Sequence, residues 1–139
     1  MKFFLLLDPP TVTAQEKKVM VIKGKPIFYE PDNVKEAKKE LIKHLRPFVP
    51  KEPFIGPLSL KVQWIFEKGT KHKHQEWRDT KPDTDNLEKL LKDCMTKLRF
   101  WEDDAQVVME HVEKYWSNEP VGLSIEIEPL NKFRKEEGS

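Results

Sequence analysis

The amino-acid sequence predicts a single α+β domain in which a mixed β-sheet carries two main helices. Three observations predict it: the length of 139 residues suits one core, two segments repeat apolar residues at helical period, and several others alternate apolar with polar residues. The hydrophobic fraction of 37% provides material for that core, although 35% of the residues are charged. We expect the domain to cover residues 1–130 and a charged, mobile tail to cover 131–139.

The N-terminal part of the chain predicts a strand followed by a hairpin. The apolar run from Phe3 to Leu7 is far shorter than the roughly 20 residues that a membrane helix needs. We therefore interpret it as a buried first strand. The pair Pro9-Pro10 ends this strand, since proline lacks the N–H that a sheet interior uses. Residues 18–29 then alternate around a basic turn and predict a β-hairpin.

Two segments have the apolar spacing of amphipathic helices. The first helix is predicted from Asn33 to about Arg46, with Asn33 and Glu36 as a capping box. The second is predicted to start near Asp85, which we expect to cap it together with Glu88. The apolar positions are Val34, Ala37, Leu41, Ile42, Leu45 and Phe48 in the first helix, and Leu87, Leu90, Leu91, Cys94 and Leu98 in the second.

Three further segments alternate apolar and polar residues and predict strands over 58–66, 106–116 and 121–128. Between the first of these strands and the second helix lies the most basic loop of the chain, residues 68–81. Its lysine and arginine residues are Lys68, Lys71, Lys73, Arg78 and Lys81. Taken singly, each such lysine is more often an ordinary solvated side chain.

The overall charge and the cysteine count limit the class of protein. A net charge of +1 excludes a uniformly basic nucleic-acid-binding domain, so any such binding must use local patches. The single cysteine, Cys94, excludes an internal disulfide and a cysteine-built zinc site. We therefore expect a cytoplasmic protein with no membrane association and no small-molecule cofactor.

The acidic residues before and after the second helix predict a metal site. Asp83 and Asp85 flank one residue, so in an extended chain their carboxylates point to the same side and repel each other. A hard cation such as Mg²⁺ relieves this repulsion because it prefers oxygen ligands. The turn at Glu102-Asp103-Asp104 offers a third ligand, for which Asp104 is the weakly favoured candidate, and Lys89 lies one helical turn after Asp85.

Structural roles explain the same residues without a metal. Asp85 with Glu88 has the spacing of a helix cap, Asp85 with Lys89 is an ordinary i,i+4 pair, and acidic turns are common in loops. From spacing alone these roles outweigh a metal site. A zinc site at His72 and His74 is disfavoured because the segment has no cysteine and no third histidine.

Two longer motifs favour a metal site over these structural roles. The string KPDTDNLEK at 81–89, followed by Asp93 and by FWEDDAQV at 100–107, resembles the RusA family of Holliday junction resolvases, and Pro9-Pro10-Thr11 is similar to its proline-containing loop. The resemblance covers the chain from Phe3 to about Glu128. The basic segment 68–81 departs from it, since it looks longer and richer in lysine and histidine than in some members.

The resemblance implies a function and a site. Asp83, Asp85 and Asp104 match metal-binding catalytic acids, and Lys89 matches a catalytic lysine, whereas Asp93 and Asp103 match a supporting or structural role. It implies a homodimer that uses Mg²⁺, with Mn²⁺ as an alternative, to resolve four-way DNA junctions in recombination and repair, often for a prophage. In this interpretation we expect Lys68, Lys71, Lys73, Arg78 and Lys81 of the basic loop to contact DNA phosphates. Two alternatives stay open: a non-catalytic DNA-binding protein with the same fold, and a metal-dependent nuclease for flaps or single strands.

Overall fold

The chain folds into six strands and two α-helices in a computed structural model that describes residues 1–12 and 18–134. The strands are β1 (Lys2–Leu5), β2 (Lys18–Ile22), β3 (Lys25–Tyr29), β4 (Leu58–Glu67), β5 (Val107–Ser117) and β6 (Gly122–Pro129). The helices are α1 (Asp32–Leu45) and α2 (Thr84–Lys97), with short 3-10 turns at Arg46–Phe48 and Asp104–Gln106.

A four-stranded mixed sheet forms the centre of the fold, in the order β1-β6-β4-β5. Strand β6 runs antiparallel to β1 and to β4, whereas β4 and β5 are parallel. Parallel neighbours need a long crossover, and here α2 provides it. The predicted α+β fold with a mixed sheet and two main helices is confirmed.

The core lies between the sheet and the two helices. Alternate residues of β4, namely Leu58, Leu60, Val62 and Trp64, are fully buried, because their side chains point to the helix-covered face. The apolar stripes of α1 and α2 join the same cluster through Val34, Leu41 and Leu45, and through Leu87, Leu90, Leu91, Cys94 and Met95. Burial of these stripes is the main favourable term that holds the helices on the sheet.

The predicted hairpin is confirmed, but it forms a two-stranded sheet of its own from β2 and β3. Its large apolar side chains are exposed, including Val21 at 71% and Phe28 at 70%. The hairpin therefore has little share in the core, and an isolated two-stranded sheet is at best marginally stable in water.

Both predicted helix caps are wrong. Helix α1 begins at Asp32 after Pro31, and α2 begins at Thr84 after Asp83, and neither start has a side-chain cap hydrogen bond. The first strand also ends earlier than predicted, at Leu5. A capping box does exist, but at Asp103 and Gln106, which enclose the 3-10 turn before β5.

The structure describes only the first residues of the predicted tail. Residues 131–134 are exposed and lie outside regular secondary structure, and the rest of the segment 131–139 lies outside the described residues. None of the described helices combines the length and the hydropathy needed to cross a bilayer.

Candidate active site

A polar pocket of about 440 Å³ lies between α2 and β5. The crossover from β4 to β5 places α2 beside β5, so that residues spaced along one side of the helix line this pocket. The lining residues are Asp85, Glu88, Lys89, Lys92, Asp93, Asp104 and Glu110. Four carboxylates besides Asp93 therefore share one cavity with two lysines.

Two of the three predicted metal-binding acids line this pocket. Asp85 lies in the first turn of α2, and Asp104 opens the 3-10 turn before β5. Asp83, at the N-cap of α2, is exposed and is absent from the pocket lining. Across residues 1–12 and 18–134, no three histidine, cysteine or acidic side chains lie close enough together to hold an ion without rearrangement.

The two lysines of the pocket differ in their surroundings. Lys92 pairs with Glu110 of β5, which ties α2 to the edge strand. Lys89 is exposed and forms no ion pair with any residue that the structure describes. Lys89 is therefore the lysine of this pocket whose charge is available to a bound anion.

Glu88 forms the buried wall of the pocket. Only 2% of the residue is exposed, and its Oε1 accepts a hydrogen bond of 2.9 Å from Nε1 of Trp64. The pKa of this carboxyl is raised to about 7, chiefly because it is buried; nearby Glu110 also raises the pKa, whereas the Trp64 hydrogen bond and Lys92 lower it. A cation that enters the pocket would favour the ionised form of Glu88 over the protonated form.

The two acids matched to a supporting role make structural contacts. Asp103 accepts a hydrogen bond from the backbone N–H of Ala105 and forms the capping box with Gln106. Asp93 lines the pocket, and its carboxylate lies 3.8 Å from Nζ of Lys38 in α1. Asp103 therefore holds the turn that carries Asp104, and Asp93 links the two helices.

Lys114 of β5 fixes the chain that leads into α2. Its ammonium donates to the carbonyl oxygens of Thr80 and Pro82, directly before Asp83. Burial and the nearby charge of Arg78 lower the pKa of Lys114, whereas Asp83 and Asp79 raise it. The N-terminus of α2 is thus held against the outer edge of the sheet.

The basic loop 68–81 lies along the same edge. Backbone hydrogen bonds join Gln75 and Glu76 to Trp116, and Arg78 to Lys114, so the loop packs along the C-terminal part of β5. His72 stacks on Trp116 with ring centroids 4.0 Å apart, and the His74 ring accepts a hydrogen bond from the backbone N–H of Asn118. These contacts hold the loop in place beside α2.

The predicted DNA-contacting residues of this loop fall into two groups. Lys71, Lys73 and Lys81 are exposed, and Lys68 is partly buried. The guanidinium of Arg78 instead lies 4.3 Å from the ring centre of Phe66 and 4.5 Å from that of Trp116, and it donates to the Lys81 carbonyl. Arg78 therefore stabilises the loop by cation–π contact.

The four tryptophans differ in how deeply they are buried. Trp64 and Trp101 are fully buried in the core, and Trp116 packs against it. Trp77 is 64% exposed and meets Tyr115 edge-on, with ring centroids 6.2 Å apart. Trp77 is thus the tryptophan of the basic loop with an open face.

Sequence reasoning missed four residues of this site: Glu88, Lys92, Glu110 and Lys114. One sequence signal was available, because Glu88 follows Leu87 and precedes Leu91 by three residues, so that a charged residue interrupts an apolar stripe. Lys92, Glu110 and Lys114 carry no such signal, since their roles depend on the pairing of α2 with β5.

The chain is similar to known proteins over most of its length. Residues 9–128 match the family described as endodeoxyribonuclease RusA. The chain is also 36% identical over 130 residues to a protein of Lactococcus phage r1t named crossover junction endodeoxyribonuclease rusA. That match covers 91% of this chain and 95% of the phage protein.

Proposed function

Because the chain belongs to the endodeoxyribonuclease RusA family, we propose that it is a divalent-cation-dependent endonuclease that resolves four-way DNA junctions by paired nicks. The observation that carries the proposal is the pocket between α2 and β5, where Asp85 and Asp104 lie with Lys89. The phage relative, matched over nearly its whole length, is named for the same reaction.

The donor set of the pocket suits a hard cation. Asp85, Asp104, Glu88 and Glu110 offer carboxylate oxygens only, and one buried oxygen of Glu88 lacks a hydrogen-bond partner among the described residues. Mg²⁺ prefers such ligands and keeps several waters, and Mn²⁺ accepts the same donors. In our proposal Asp85 and Asp104 hold the cation, and the exposed Asp83 at the helix start completes the set. When bound, the cation supplies an activated water and neutralises phosphate charge.

Lys89 has the position of a group that stabilises negative charge. It lies one helical turn beyond Asp85 and lines the same pocket, so its ammonium can reach a phosphate held there. Such a cation lowers the barrier because negative charge grows on the phosphate during cleavage. We therefore assign Lys89 a catalytic role.

The exposed lysines of the basic loop support DNA binding. Lys71, Lys73 and Lys81 lie on the segment that leads from β4 into α2, so a duplex arm that they contact continues toward the pocket. Contacts of this kind release counterions, and binding should therefore weaken steeply as salt is added. Lys68 and Arg78 have a smaller part in this proposal, since the first is partly buried and the second packs on two aromatic rings.

A homodimer fits both the substrate and the surface. Two symmetric cuts in a four-way junction require two identical sites, which a closed dimer with a two-fold axis supplies. The hairpin of β2 and β3 exposes apolar side chains on both faces, as expected of a segment that another copy covers. The proposed assembly is therefore a homodimer with the hairpins at its interface.

Cleavage of a synthetic four-way junction in Mg²⁺ tests the proposed function. Asp85→Asn and Lys89→Ala should each lower the cleavage rate by about 100-fold or more, because each removes a charge that acts on the reacting phosphate. Matched controls are Asp32→Asn, also in the first turn of a helix, and Lys97→Ala, in the last turn of α2; both should cleave at the wild-type rate. Circular dichroism verifies that every variant folds.

Three results would count against this function. Full activity of a folded Asp85→Asn variant would remove the cation-dependent mechanism. Equal cleavage of the four-way junction, a linear duplex and a flap would indicate a nuclease without junction selectivity, and no cleavage of any of them would indicate a DNA-binding protein that retains the fold.

A further inference from the structure

Glu88 combines burial with an unsatisfied charge-bearing oxygen. Its Oε1 accepts from Trp64 Nε1, but its Oε2 has no hydrogen-bond partner in the described part of the chain and is closed off from solvent. Native proteins seldom leave such an atom unpaired, since the loss of water is not offset. The position therefore needs an explanation beyond helix packing.

A purely structural role does not explain a carboxylate here. Trp64 needs one hydrogen-bond acceptor, and the amide oxygen of a glutamine of the same length would provide it without a second anionic oxygen. The neighbouring cation Lys92 pairs with Glu110 instead. Glu88 is thus an acidic residue without an ion-pair partner among the described residues, in an otherwise apolar stripe of α2.

The position of Glu88 relates it to the candidate cation site. It lies three residues after Asp85 on α2, and both residues line the pocket that Asp104 and Glu110 share. The Trp64 bond engages one carboxylate oxygen and leaves the other without a hydrogen-bond partner among the described residues. A divalent cation in this pocket would offset the unfavourable burial of the Glu88 charge.

We propose that Glu88 is a further carboxylate of the cation site, which contributes its Oε2 to the divalent cation or to a water bound to that cation. This inference rests on the proposed function. Trp64 is then a positioning residue, since its indole N–H orients the Glu88 carboxylate from the core of β4.

The test measures Mn²⁺ binding by calorimetry, without DNA, on the wild type and on Glu88→Gln. The substitution keeps the size and an acceptor for Trp64 but removes the negative charge. We expect Mn²⁺ to bind Glu88→Gln about 10-fold or more weakly, as is common when a group that supports a metal ligand is lost. The increase in Tm on adding Mn²⁺ should shrink in parallel. Glu113→Gln is the matched control, because Glu113 lies on β5 outside the pocket and bonds Gln63.

A second measurement uses the wild type alone, so the outcome does not depend on the folding of a variant. The side-chain carboxyl carbon of Glu88 should shift in the NMR spectrum at the same Mg²⁺ concentration as that of Asp85. Unchanged Mn²⁺ affinity in a folded Glu88→Gln variant, or a Glu88 signal that Mg²⁺ does not move while Asp85 responds, would overturn the inference and leave the proposed function standing. A wild-type protein that binds neither cation would overturn both.

Discussion

At the residue scale, the surroundings of a side chain decide its role more than its type does. Arg78 and Lys71 are both cations of the basic loop, yet the first packs on two aromatic rings and the second is exposed to solvent. Glu88 and Glu113 are both acids, yet burial raises the pKa of Glu88, whereas hydrogen bonds from His111 and Gln63 lower that of Glu113. The same residue type thus serves packing in one place and charge in another.

The raised pKa of Glu88 predicts how stability depends on pH without a cation. The folded protein holds the Glu88 proton up to about pH 7, whereas the unfolded chain releases it near pH 4.5. The contribution of Glu88 to stability should therefore be fully present below about pH 4.5 and should fall by about 3 kcal/mol as the pH rises to about 7. Urea unfolding of the wild type and of Glu88→Gln at pH 5 and pH 8 measures this change in the free energy of unfolding.

The difference between the two proteins isolates this contribution, since the other titrating groups are shared. The wild type should lose more stability than Glu88→Gln between the two pH values. An equal loss in both would mean that Glu88 does not hold its proton in the folded state.

At the scale of the elements, the 3-10 turn before β5 positions one wall of the site. Its capping box satisfies the backbone N–H groups of Asp103 and Ala105, and the Gln106 side chain also donates to the carbonyls of Phe54 and Gly56. The turn is therefore tied to a loop from a distant part of the chain. Asp104 opens this turn, and its position in the pocket depends on the cap.

Two substitutions of Asp103 separate a cap from a metal ligand. Asp103→Ala should lower the free energy of unfolding by about 1 kcal/mol, because it removes the side-chain acceptor, and it should also slow junction cleavage. Asp103→Asn should keep both stability and cleavage close to wild type, since asparagine caps equally well. Urea unfolding and the junction assay measure the two effects. Loss of cleavage in a stable Asp103→Asn variant would instead assign the Asp103 charge to the chemistry.

At the scale of the whole molecule, the chain has one well-packed core and one exposed apolar hairpin. The four-stranded sheet and both helices share the core, whereas in residues 1–12 and 18–134 the two strands of the hairpin pair with each other and with no other strand. In the proposed homodimer, a second copy of the chain would cover the apolar side chains on both faces of the hairpin and would supply the second of two symmetric sites. The proposal thus connects the exposed hairpin with the paired cuts.

Sedimentation equilibrium tests the proposed homodimer. The wild type should have twice the chain mass of 16.5 kDa at micromolar concentration, and Phe28→Asp should shift it toward the monomer, because a charge would be buried at the interface. Ile55→Asp is the control, since Ile55 is 87% exposed but lies outside the hairpin. A monomeric wild type would contradict the homodimer, and a dimeric Phe28→Asp variant would place the interface elsewhere.

The amino-acid sequence by itself determined the order and type of the elements, because apolar periodicity is a local property that β4 and α2 show clearly. It also determined the family, because the motifs at 81–89 and 100–107 are contiguous. Only the tertiary structure decided that Glu88 is buried under Trp64 and not a helix cap, that Arg78 packs on aromatic rings, and that Asp83 lies outside the pocket. These features depend on contacts between residues far apart in the chain, which no local spacing encodes.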